Sequence, residues 1–438
     1  MFSKNPKVLH KLCGITMIEH IMNTAKLAGA KELIVVVGHK GEEVERRLKD
    51  VKVSYQKEQL GTGHALMQAL KYIKDNTVFV LCGDTPLLEA QTLRNMFEYH
   101  RTNNNHATVL TANLKDPYNY GRIIRNKQGQ VLEIVEERDA DTNQKEITEI
   151  NSGIYLFEGS FLKTFLNKLD NDNDQGEYYL TDIIKIYKEN HLKIGAFLIE
   201  NSDEVMGVNN RLQLNVAESL MRKRINEGHM LKGVTIVDPL NTYIDLTVKL
   251  EKDTTILPGC IITGNTFVDE DAVIGPNSQI EGSHIGKGAV VKNSVVIDSF
   301  VGDGASIGPF SNLRPGNVIG KSAKIGDFVE MKNSTFGDHS KASHLTYIGD
   351  GDVGKNVNIG CGVVFVNYDG KEKHRTIVED NCFIGCNVNL ISPVTIGKNS
   401  YIAAGTTVTK DVPEANLAVG RAKQENKEGW VKRKGLLK

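Results

Sequence analysis

The sequence predicts an α/β unit followed by a parallel β-helix, and three observations support this. A chain of 438 residues is too long for one ordinary domain. Residues from the start to about Val208 alternate short apolar runs with helical patterns. From Ile256 onward, aliphatic residues recur every six positions instead. We expect an α/β unit over residues 1–208, a linker helix over 209–229 and a β-helix over 230–438.

The α/β prediction rests on apolar runs that have the length of buried strands. The candidates are Leu33–Val37, Val51–Tyr55, Thr77–Asp84, Ala107–Leu114 and Ser152–Phe157. Runs that are apolar on both faces are typical of a parallel, Rossmann-like sheet covered by helices. Such a sheet normally opens with a strand and a glycine-rich turn, whereas here a helical pattern beginning at Val8 comes first.

The β-helix prediction rests on the six-residue period. In a hexapeptide-repeat coil, each six-residue edge points one aliphatic side chain inward, and three edges complete one turn. The series comprises Ile256, Ile262, Val268, Ile274, Ile280, Val301, Ile307, Leu313, Ile319, Ile325, Met331, Val353, Ile359, Phe365, Ile384, Leu390, Ile396, Ile402 and Val408. Two interruptions, 334–351 and 366–381, are expected to leave the coil as loops, where binding residues tend to lie.

Composition excludes several classes of partner. The formal net charge is −1 with 24% charged residues, which provides no basic surface of the kind that nucleic acid or an anionic membrane would attract. No stretch reads as a signal peptide or a membrane span. The six cysteines are scattered, as expected of reduced core thiols. We therefore expect a cytoplasmic protein that acts on small molecules.

Asp84 is the first candidate for chemistry, because it ends a predicted buried strand. Ligands of open α/β sheets bind at the carboxyl ends of strands, so Asp84 could hold a divalent cation against phosphates. The alternative is that Asp84 only caps the next helix. Nearby, Gln59–Ala65 places two glycines and Thr62 at a helix start, which could contact a nucleotide through backbone N–H groups. Such turns are common, so this second signal is weak alone.

The second candidate site lies in the β-helix. Arg314 and Lys332 are 18 residues apart, one full coil, so they should stack on one face and could clamp a phosphate. His344 could serve as a general base, and the alternative is a solvated surface histidine. A zinc site that uses His339 and His344 is less favoured, because the positions one coil away provide no third ligand. Those positions are Lys321, Gly326, Val357 and Gly362.

Several motifs together identify a family. They are PKVLHKLCG, QLGTGHA, CGDTPLL, YGRIIR, EINSGIY, GVNNRLQL, RPGNVIG, HLTYIGD, VNYDG and IAAGTTVTKDV, in that order. In these motifs the chain resembles, over essentially its whole length, the bifunctional bacterial N-acetylglucosamine-1-phosphate uridyltransferase/glucosamine-1-phosphate N-acetyltransferases. The resemblance implies an α/β nucleotidyltransferase followed by a left-handed β-helix, assembled as a homotrimer with the acetyltransferase site between subunits.

For the β-helix, the resemblance implies that the amine of glucosamine 1-phosphate attacks the thioester of acetyl-CoA. His344 matches the catalytic base. Residues that match sugar-phosphate contacts are Arg314, Lys332, Tyr347 and Asn358, with Lys373 at a basic position near the site. Residues that match acetyl-CoA contacts are Asn367, Tyr368, Ala404 and Arg421, and Cys386 stands where some members have a serine. A thiol is a poorer hydrogen-bond partner than a hydroxyl, so the Cys386 contact is the weakest of these assignments.

For the α/β unit, the resemblance implies that N-acetylglucosamine 1-phosphate is joined to UTP with release of pyrophosphate. Asp84 and Asn209 match the Mg²⁺ ligands, and Lys7 matches a basic residue that faces the phosphates. Residues that match uridine or sugar contacts are Gln56, Gly61, Thr62, Gly121, Glu136 and Asn151.

The start of the chain carries a separate expectation. In the family, a first strand and an L-x-x-G-x-G-T-R-M turn precede the segment that begins here at Met1. We expect either that the start is mis-called or truncated, which we favour, or that uridyl transfer is impaired. The alternatives to a bifunctional enzyme are an acetyltransferase whose α/β unit is structural, and a non-catalytic β-helix scaffold that binds partners through its loops.

Overall fold

The computed structural model describes residues 1–173 and 175–437, which form two compact units. One unit spans Met1–Met221 and the other spans Arg222–Lys438. The boundary falls inside the helix Arg211–Met230, so a separate linker over 209–229 stays a prediction. Within the described residues, no helix has the length and apolar character needed to cross a membrane.

The first unit has the predicted α/β character. Its helices are Met17–Leu27, Gly41–Glu45, Thr62–Ala69, Ala90–Thr102, Thr142–Lys145, Gly159–Phe165 and Asp182–Glu189, followed by the start of Arg211–Met230. Its strands are Lys11–Leu12, Ile15–Thr16, Ile34–Val37, Lys52–Tyr55, Thr77–Val80, Ala107–Asn113, Arg122–Arg125, Val131–Val135, Glu149–Glu158 and Ile194–Ile199. Each of the five predicted strands is therefore present.

The main sheet of this unit is mixed rather than parallel throughout. Glu149–Glu158 pairs antiparallel with both Thr77–Val80 and Ala107–Asn113, while Ile194–Ile199 runs parallel to Ala107–Asn113. Ile34–Val37 and Lys52–Tyr55 form a separate parallel pair. An apolar run that is buried on both faces has the same pattern in either direction, so the sequence could not distinguish the two.

The second unit is a three-sided parallel β-helix. One side contains Thr235–Ile236, Thr255–Ile256, Val273–Ile274, Val290–Val291, Ser306–Ile307, Lys324–Asp327, Lys341–His344, Asn358–Ile359, Phe383–Ile384, Tyr401–Ile402 and Leu417–Ala418. The second contains Tyr243–Ile244, Ile261–Thr263, Gln279–Glu281, Val295–Ile297, Asn312–Leu313, Glu330–Lys332, Tyr347–Gly349, Val364–Val366, Asn389–Ile391 and Thr407–Val408. The third contains Lys249–Leu250, Phe267–Val268, His284–Ile285, Phe300–Val301, Val318–Ile319, Thr335–Phe336, Gly351–Val353, Thr376–Val378 and Val394–Ile396. A short helix, Trp430–Arg433, follows the coil.

The six-residue series is confirmed as the core of this unit. Every side chain that the period predicts to point inward is buried, from Ile256 to Val408. Neighbouring coils pair in register, as Leu313 does with Met331. Because the inward positions stack directly, each coil covers the apolar surface of the one before it.

The prediction that residues 334–351 leave the coil as a loop is wrong. Residues 334–351 continue the coil, with Phe336, Ala342 and Ile348 buried inside it. The period breaks because Lys341–His344 pairs with Lys324–Asp327 at an offset of 17 residues, one fewer than a full coil of hexads. The second interruption is a true insertion, since Gly351–Val353 pairs directly with Thr376–Val378 and residues 367–375 extend outside the pairing.

Candidate functional sites

A lysine, a carboxylate and an amide from distant parts of the first unit converge at one point. The Lys7 ammonium donates to Asp84 Oδ2 at 2.6 Å and to Asn209 Oδ1 at 2.8 Å. The backbone N–H of Val208 donates to the carbonyl of Asp84 at 2.9 Å, which fixes the approach of the two segments. Carboxylate and amide oxygens are ligands that suit Mg²⁺, so the donor set fits the predicted cation.

Gly61 shapes the turn that precedes the helix Thr62–Ala69. Its φ is +98°, and a Cβ atom there would lie 2.7 Å from the carbonyl oxygen of Tyr178, so only glycine fits. The Gln56 side-chain amide donates to the Gly61 carbonyl at 3.0 Å. The Thr62 hydroxyl accepts from the backbone N–H of Leu180 at 3.1 Å. The predicted uridine contacts therefore lie together at the start of this helix, with the Gln56 side chain hydrogen-bonded to the turn.

Three predicted sugar contacts form a second group in the same unit. The backbone N–H of Asn151 donates to the carbonyl of Gly121 at 2.8 Å. A Cβ atom on Gly121 would lie 3.5 Å from Glu136 Oε2, so Glu136 closely approaches this glycine. Burial raises the pKa of the Glu136 carboxyl, and a hydrogen bond from the Thr181 hydroxyl at 3.2 Å opposes that rise.

One large cavity joins most of these groups. Its volume is about 1630 Å³, and its lining includes Lys7, Thr62, Asp84, Gly121, Glu136 and Asn151. Three of the predicted residues do not line the cavity. Asn209 contacts the lining residue Lys7, and Gln56 is hydrogen-bonded to Gly61, which precedes the lining residue Thr62. The cavity also extends along the strands Ile34–Val37 and Thr77–Val80, whose residues line it, so the predicted contacts occupy only part of this volume.

In the β-helix, His344 stands beside a carboxylate. Asp327 pairs in register with His344, and Asp327 Oδ2 lies 3.5 Å from His344 Nδ1. The offset of 18 residues used for the zinc alternative placed Gly326 there, so the shortened coil corrects that position. Among residues 1–173 and 175–437, no cluster of three histidine, cysteine or acidic side chains is arranged to hold a metal ion.

The register of the coils places the two members of the predicted phosphate clamp one above the other. The backbone N–H of Arg314 donates to the carbonyl of Met331 at 2.9 Å, which places Arg314 and Lys332 on successive coils. Arg314 also pairs with Glu330 at 3.1 Å. The pKa of Lys332 is lowered, first by the neighbouring Lys373 ammonium and second by burial. Three cations thus gather where the sequence predicts a phosphate.

The predicted coenzyme contacts extend along the coil axis from His344. Register pairing of Ile384 with Ile402 places Cys386 and Ala404 on successive coils, and the Arg421 guanidinium donates to the carbonyl of Ala404 at 2.8 Å. Cys386 is exposed, so its thiol is available to a ligand. Asn358 pairs with Lys341 on the same side of the coil as His344.

Two more predicted contacts lie in or near the inserted loop, together with a carboxylate that sequence reasoning missed. Asn367 is buried and donates to Asp350 Oδ2 at 2.6 Å. The Tyr368 hydroxyl is exposed and donates to the carbonyl of Gly370 at 2.8 Å. Neither Asp327 nor Asp350 could be predicted as part of the site from sequence spacing, because each lies next to a site residue only through the exact register of the coils. The HLTYIGD motif contains Asp350, which was the one available signal.

The family comparisons match both units. The nucleotidyl transferase family matches residues 2–203, the bacterial transferase hexapeptide family matches residues 375–410, and the hexapeptide repeat of succinyl-transferase matches residues 266–299.

Full-length relatives extend this result. The chain is 57% identical to the bifunctional protein GlmU of Alkaliphilus oremlandii, in an alignment that covers 100% of this chain and 96% of the relative. The chain is 53% identical to the protein of the same name from Clostridioides difficile, in an alignment that covers 99% of this chain and 95% of that relative. A Clostridium botulinum GlmU is 50% identical, with 100% and 96% covered. The chain therefore belongs to the GlmU family of bifunctional enzymes, which carry out acetyl transfer and uridyl transfer in the synthesis of UDP-N-acetylglucosamine.

Proposed function

We propose that the cavity of the α/β unit binds UTP and N-acetylglucosamine 1-phosphate side by side. Gln56, Gly61 and Thr62 would position the uridine, and Gly121, Glu136 and Asn151 would position the sugar. The observation that supports this assignment is the convergence of Lys7, Asp84 and Asn209 at one edge of the cavity.

The reaction proposed for this cavity is an in-line displacement. An oxygen of the sugar phosphate attacks the α-phosphorus of UTP, and the bond to pyrophosphate breaks. The Lys7 ammonium offsets negative charge that develops on the phosphates. Asp84 and Asn209 would hold Mg²⁺, which supplies further neutralisation of that charge when bound. Asp84 also orients Lys7 through their 2.6 Å contact.

For the β-helix, we propose that His344 removes the proton as the amine of glucosamine 1-phosphate attacks the thioester carbon of acetyl-CoA. The C–N bond forms, the C–S bond breaks, and coenzyme A leaves as its thiol after protonation. Arg314, Lys332 and Lys373 would bind the phosphate, because Lys332 lies beside Lys373 and within the electrostatic influence of Arg314, and a phosphate would offset the repulsion between these cations. Tyr347 and Asn358 would complete the sugar site, and the coenzyme contacts would be the five residues from Asn367 to Arg421 already described.

We also propose that the chain is a homotrimer with the acetyltransferase site between subunits. Phe310, Phe328 and Leu345 project from successive coils and are 57%, 60% and 60% exposed. The two rings stack with centroids 5.5 Å apart, and Asp327 and His344 immediately precede Phe328 and Leu345. An apolar column of this kind at a catalytic edge favours coverage by a second copy of the chain.

Phe328→Glu tests the trimer. We expect the variant to shift toward monomer in sedimentation and to lose acetyl transfer roughly tenfold or more, because a charge replaces an apolar contact at the interface. Uridyl transfer should remain within about twofold of the parent, since its proposed residues all lie in the other unit. Val318→Glu, at an apolar residue that is 49% exposed on the third side of the coil, is the control and should remain trimeric. A trimeric Phe328→Glu variant with full acetyl transfer would contradict the proposal.

The cytoplasm is the proposed location. Cys82, Cys260, Cys361, Cys382 and Cys386 are all free thiols, which is typical of a reducing compartment.

The experiment that tests the two reactions uses one sample of the chain. Pyrophosphate release from UTP and N-acetylglucosamine 1-phosphate is recorded with Mg²⁺ and again with excess EDTA, and thiol release from acetyl-CoA and glucosamine 1-phosphate is recorded in parallel. We expect both activities, with only pyrophosphate release abolished by EDTA. Thiol release without pyrophosphate release would favour an acetyltransferase whose α/β unit is structural. Equal activity with and without EDTA would contradict the magnesium assignment.

A further inference from the structure

Asp350 is a buried carboxylate that connects three successive coils. Asp350 is 8% exposed and lies in the turn between Tyr347–Gly349 and Gly351–Val353, with a φ of +51°. Its backbone N–H donates to the carbonyl of Lys332 at 3.0 Å, and its carbonyl accepts from the N–H of Thr376 at 3.2 Å. The turn therefore joins the coil that bears a predicted phosphate contact to the coil that follows the inserted loop.

The two carboxylate oxygens of Asp350 have different partners. Oδ1 accepts from the side-chain amide of Asn333 at 2.6 Å, and Oδ2 accepts from that of Asn367 at 2.6 Å. The Lys332 ammonium lies 3.9 Å from Oδ2. One oxygen thus contacts both a proposed sugar-phosphate residue and a proposed coenzyme residue, and hydrogen bonds to a charged acceptor are the stronger kind.

Gly349 shows how closely the groups around Asp350 are packed. A Cβ atom on Gly349 would lie 2.4 Å from the Tyr347 hydroxyl and 2.7 Å from the Asn367 amide nitrogen. Both polar groups therefore occupy the space directly over this glycine. The amide of Asn367 is directed by Asp350 on one side and lies beside the Tyr347 hydroxyl on the other.

The charge of Asp350 also opposes the repulsion among the cations. Burial alone would raise the pKa of the Asp350 carboxyl, but hydrogen bonds from Asn333 and Asn367 and the charges of Lys332 and Lys373 together lower it. The groups that face the Lys332 ammonium are Lys373 and Arg314, which lower its pKa, and Asp350, which raises it. Asp350 thus favours the protonated form of Lys332.

We propose that Asp350 is a positioning residue for acetyl transfer, which holds the phosphate-binding Lys332 and the coenzyme-binding Asn367 in one fixed arrangement. This inference rests on the proposed function of the β-helix. Asp350 itself is buried beneath these two side chains, so it acts through them. Through these two side chains, one carboxylate supports the binding of both substrates, glucosamine 1-phosphate through Lys332 and acetyl-CoA through Asn367.

Asp350→Asn tests the proposal by removing the charge with almost no change in shape. We expect the KM for glucosamine 1-phosphate and the KM for acetyl-CoA each to rise roughly tenfold or more, with kcat at saturation within about threefold. Lys332 loses the partner that raises its pKa, so the affinity for glucosamine 1-phosphate should decline at a lower pH than in the parent. A purely structural role would shift the melting temperature without moving this pH profile.

The matched control is Asp303→Asn. Asp303 lies in the turn between Phe300–Val301 and Ser306–Ile307 and pairs with Lys321 at 2.9 Å, so this variant makes the same chemical change at another corner of the coil. Neither KM should change. A double variant, Asp350→Asn with Asn367→Ala, should have the same KM for acetyl-CoA as the more severe single variant, because the two changes interrupt one interaction. Additive effects would overturn the coenzyme half of the inference.

His344→Ala, assayed beside these variants, separates the inference from the function on which it rests. Loss of acetyl transfer in His344→Ala with unchanged KM values in Asp350→Asn would overturn the role of Asp350 alone. Retention of acetyl transfer in His344→Ala would overturn the proposed function as well. Should Asp350→Asn fail to fold, Asn333→Ala removes one amide that fixes the carboxylate, and we expect a roughly threefold or greater rise in both KM values. Unchanged KM values there would overturn the inference.

Discussion

His344→Ala is expected to lose acetyl transfer by at least roughly 100-fold, while pyrophosphate release remains within about twofold of the parent. Removal of a general base costs roughly 10²–10⁴-fold in rate. His344 has the position for that role, because it stands next to Asp327 in register and one strand before Tyr347. The measurement is thiol release at saturating acetyl-CoA and glucosamine 1-phosphate.

The control for this variant is His339→Ala, an exposed histidine one turn earlier in the same coil. It should retain full acetyl transfer. A His344→Ala protein that keeps acetyl transfer within about tenfold of the parent would remove His344 from the mechanism. That result would favour either another base or a β-helix that acts as a scaffold.

Asp84→Asn should have the largest effect on the other reaction. We expect pyrophosphate release to fall roughly 10²–10³-fold, because the variant loses a carboxylate that orients Lys7 and that would hold Mg²⁺. Thiol release by the β-helix should be unaffected. A titration with Mg²⁺ should require a higher concentration for half-maximal activity than the parent does.

Asp75→Asn provides a matched control within the same unit. Asp75 precedes the strand Thr77–Val80 and pairs with Lys163 at the surface, whereas Asp84 follows that strand and pairs with Lys7. Asp75→Asn should leave pyrophosphate release unchanged. Equal activity of both variants would mean that Asp84 only caps the segment that follows it, which is the alternative that the sequence left open.

The β-helix could be predicted from the sequence to a greater depth than the α/β unit. A six-residue period determines both the coil and the side chains inside it, because each inward position needs an aliphatic residue. The period could not determine every offset between coils. One residue fewer between Lys324–Asp327 and Lys341–His344 places Asp327 rather than Gly326 beside His344. Which coil is one residue shorter depends on how its turns pack, and a local sequence pattern does not contain that information.

In the α/β unit, strand positions could be predicted but strand directions could not. Glu149–Glu158 is antiparallel to its neighbours because of the path of its connections, which leaves no mark on its own apolar run. Likewise, spacing alone gave no reason to join Lys7, Asp84 and Asn209. Their convergence depends on the whole fold, and only the resemblance to a family brought them together beforehand.

The inserted segment 367–375 has a consequence for how this enzyme can diversify. Gly351–Val353 and Thr376–Val378 pair directly across it, so the coil on either side is unaffected by its length. The energetic cost of closing a longer loop grows only slowly with length. Asn367, Tyr368 and Lys373, which we propose to contact the substrates, all lie in this segment. A change in the length of this one loop would therefore move binding residues while the pairing of the stacked coils stays the same.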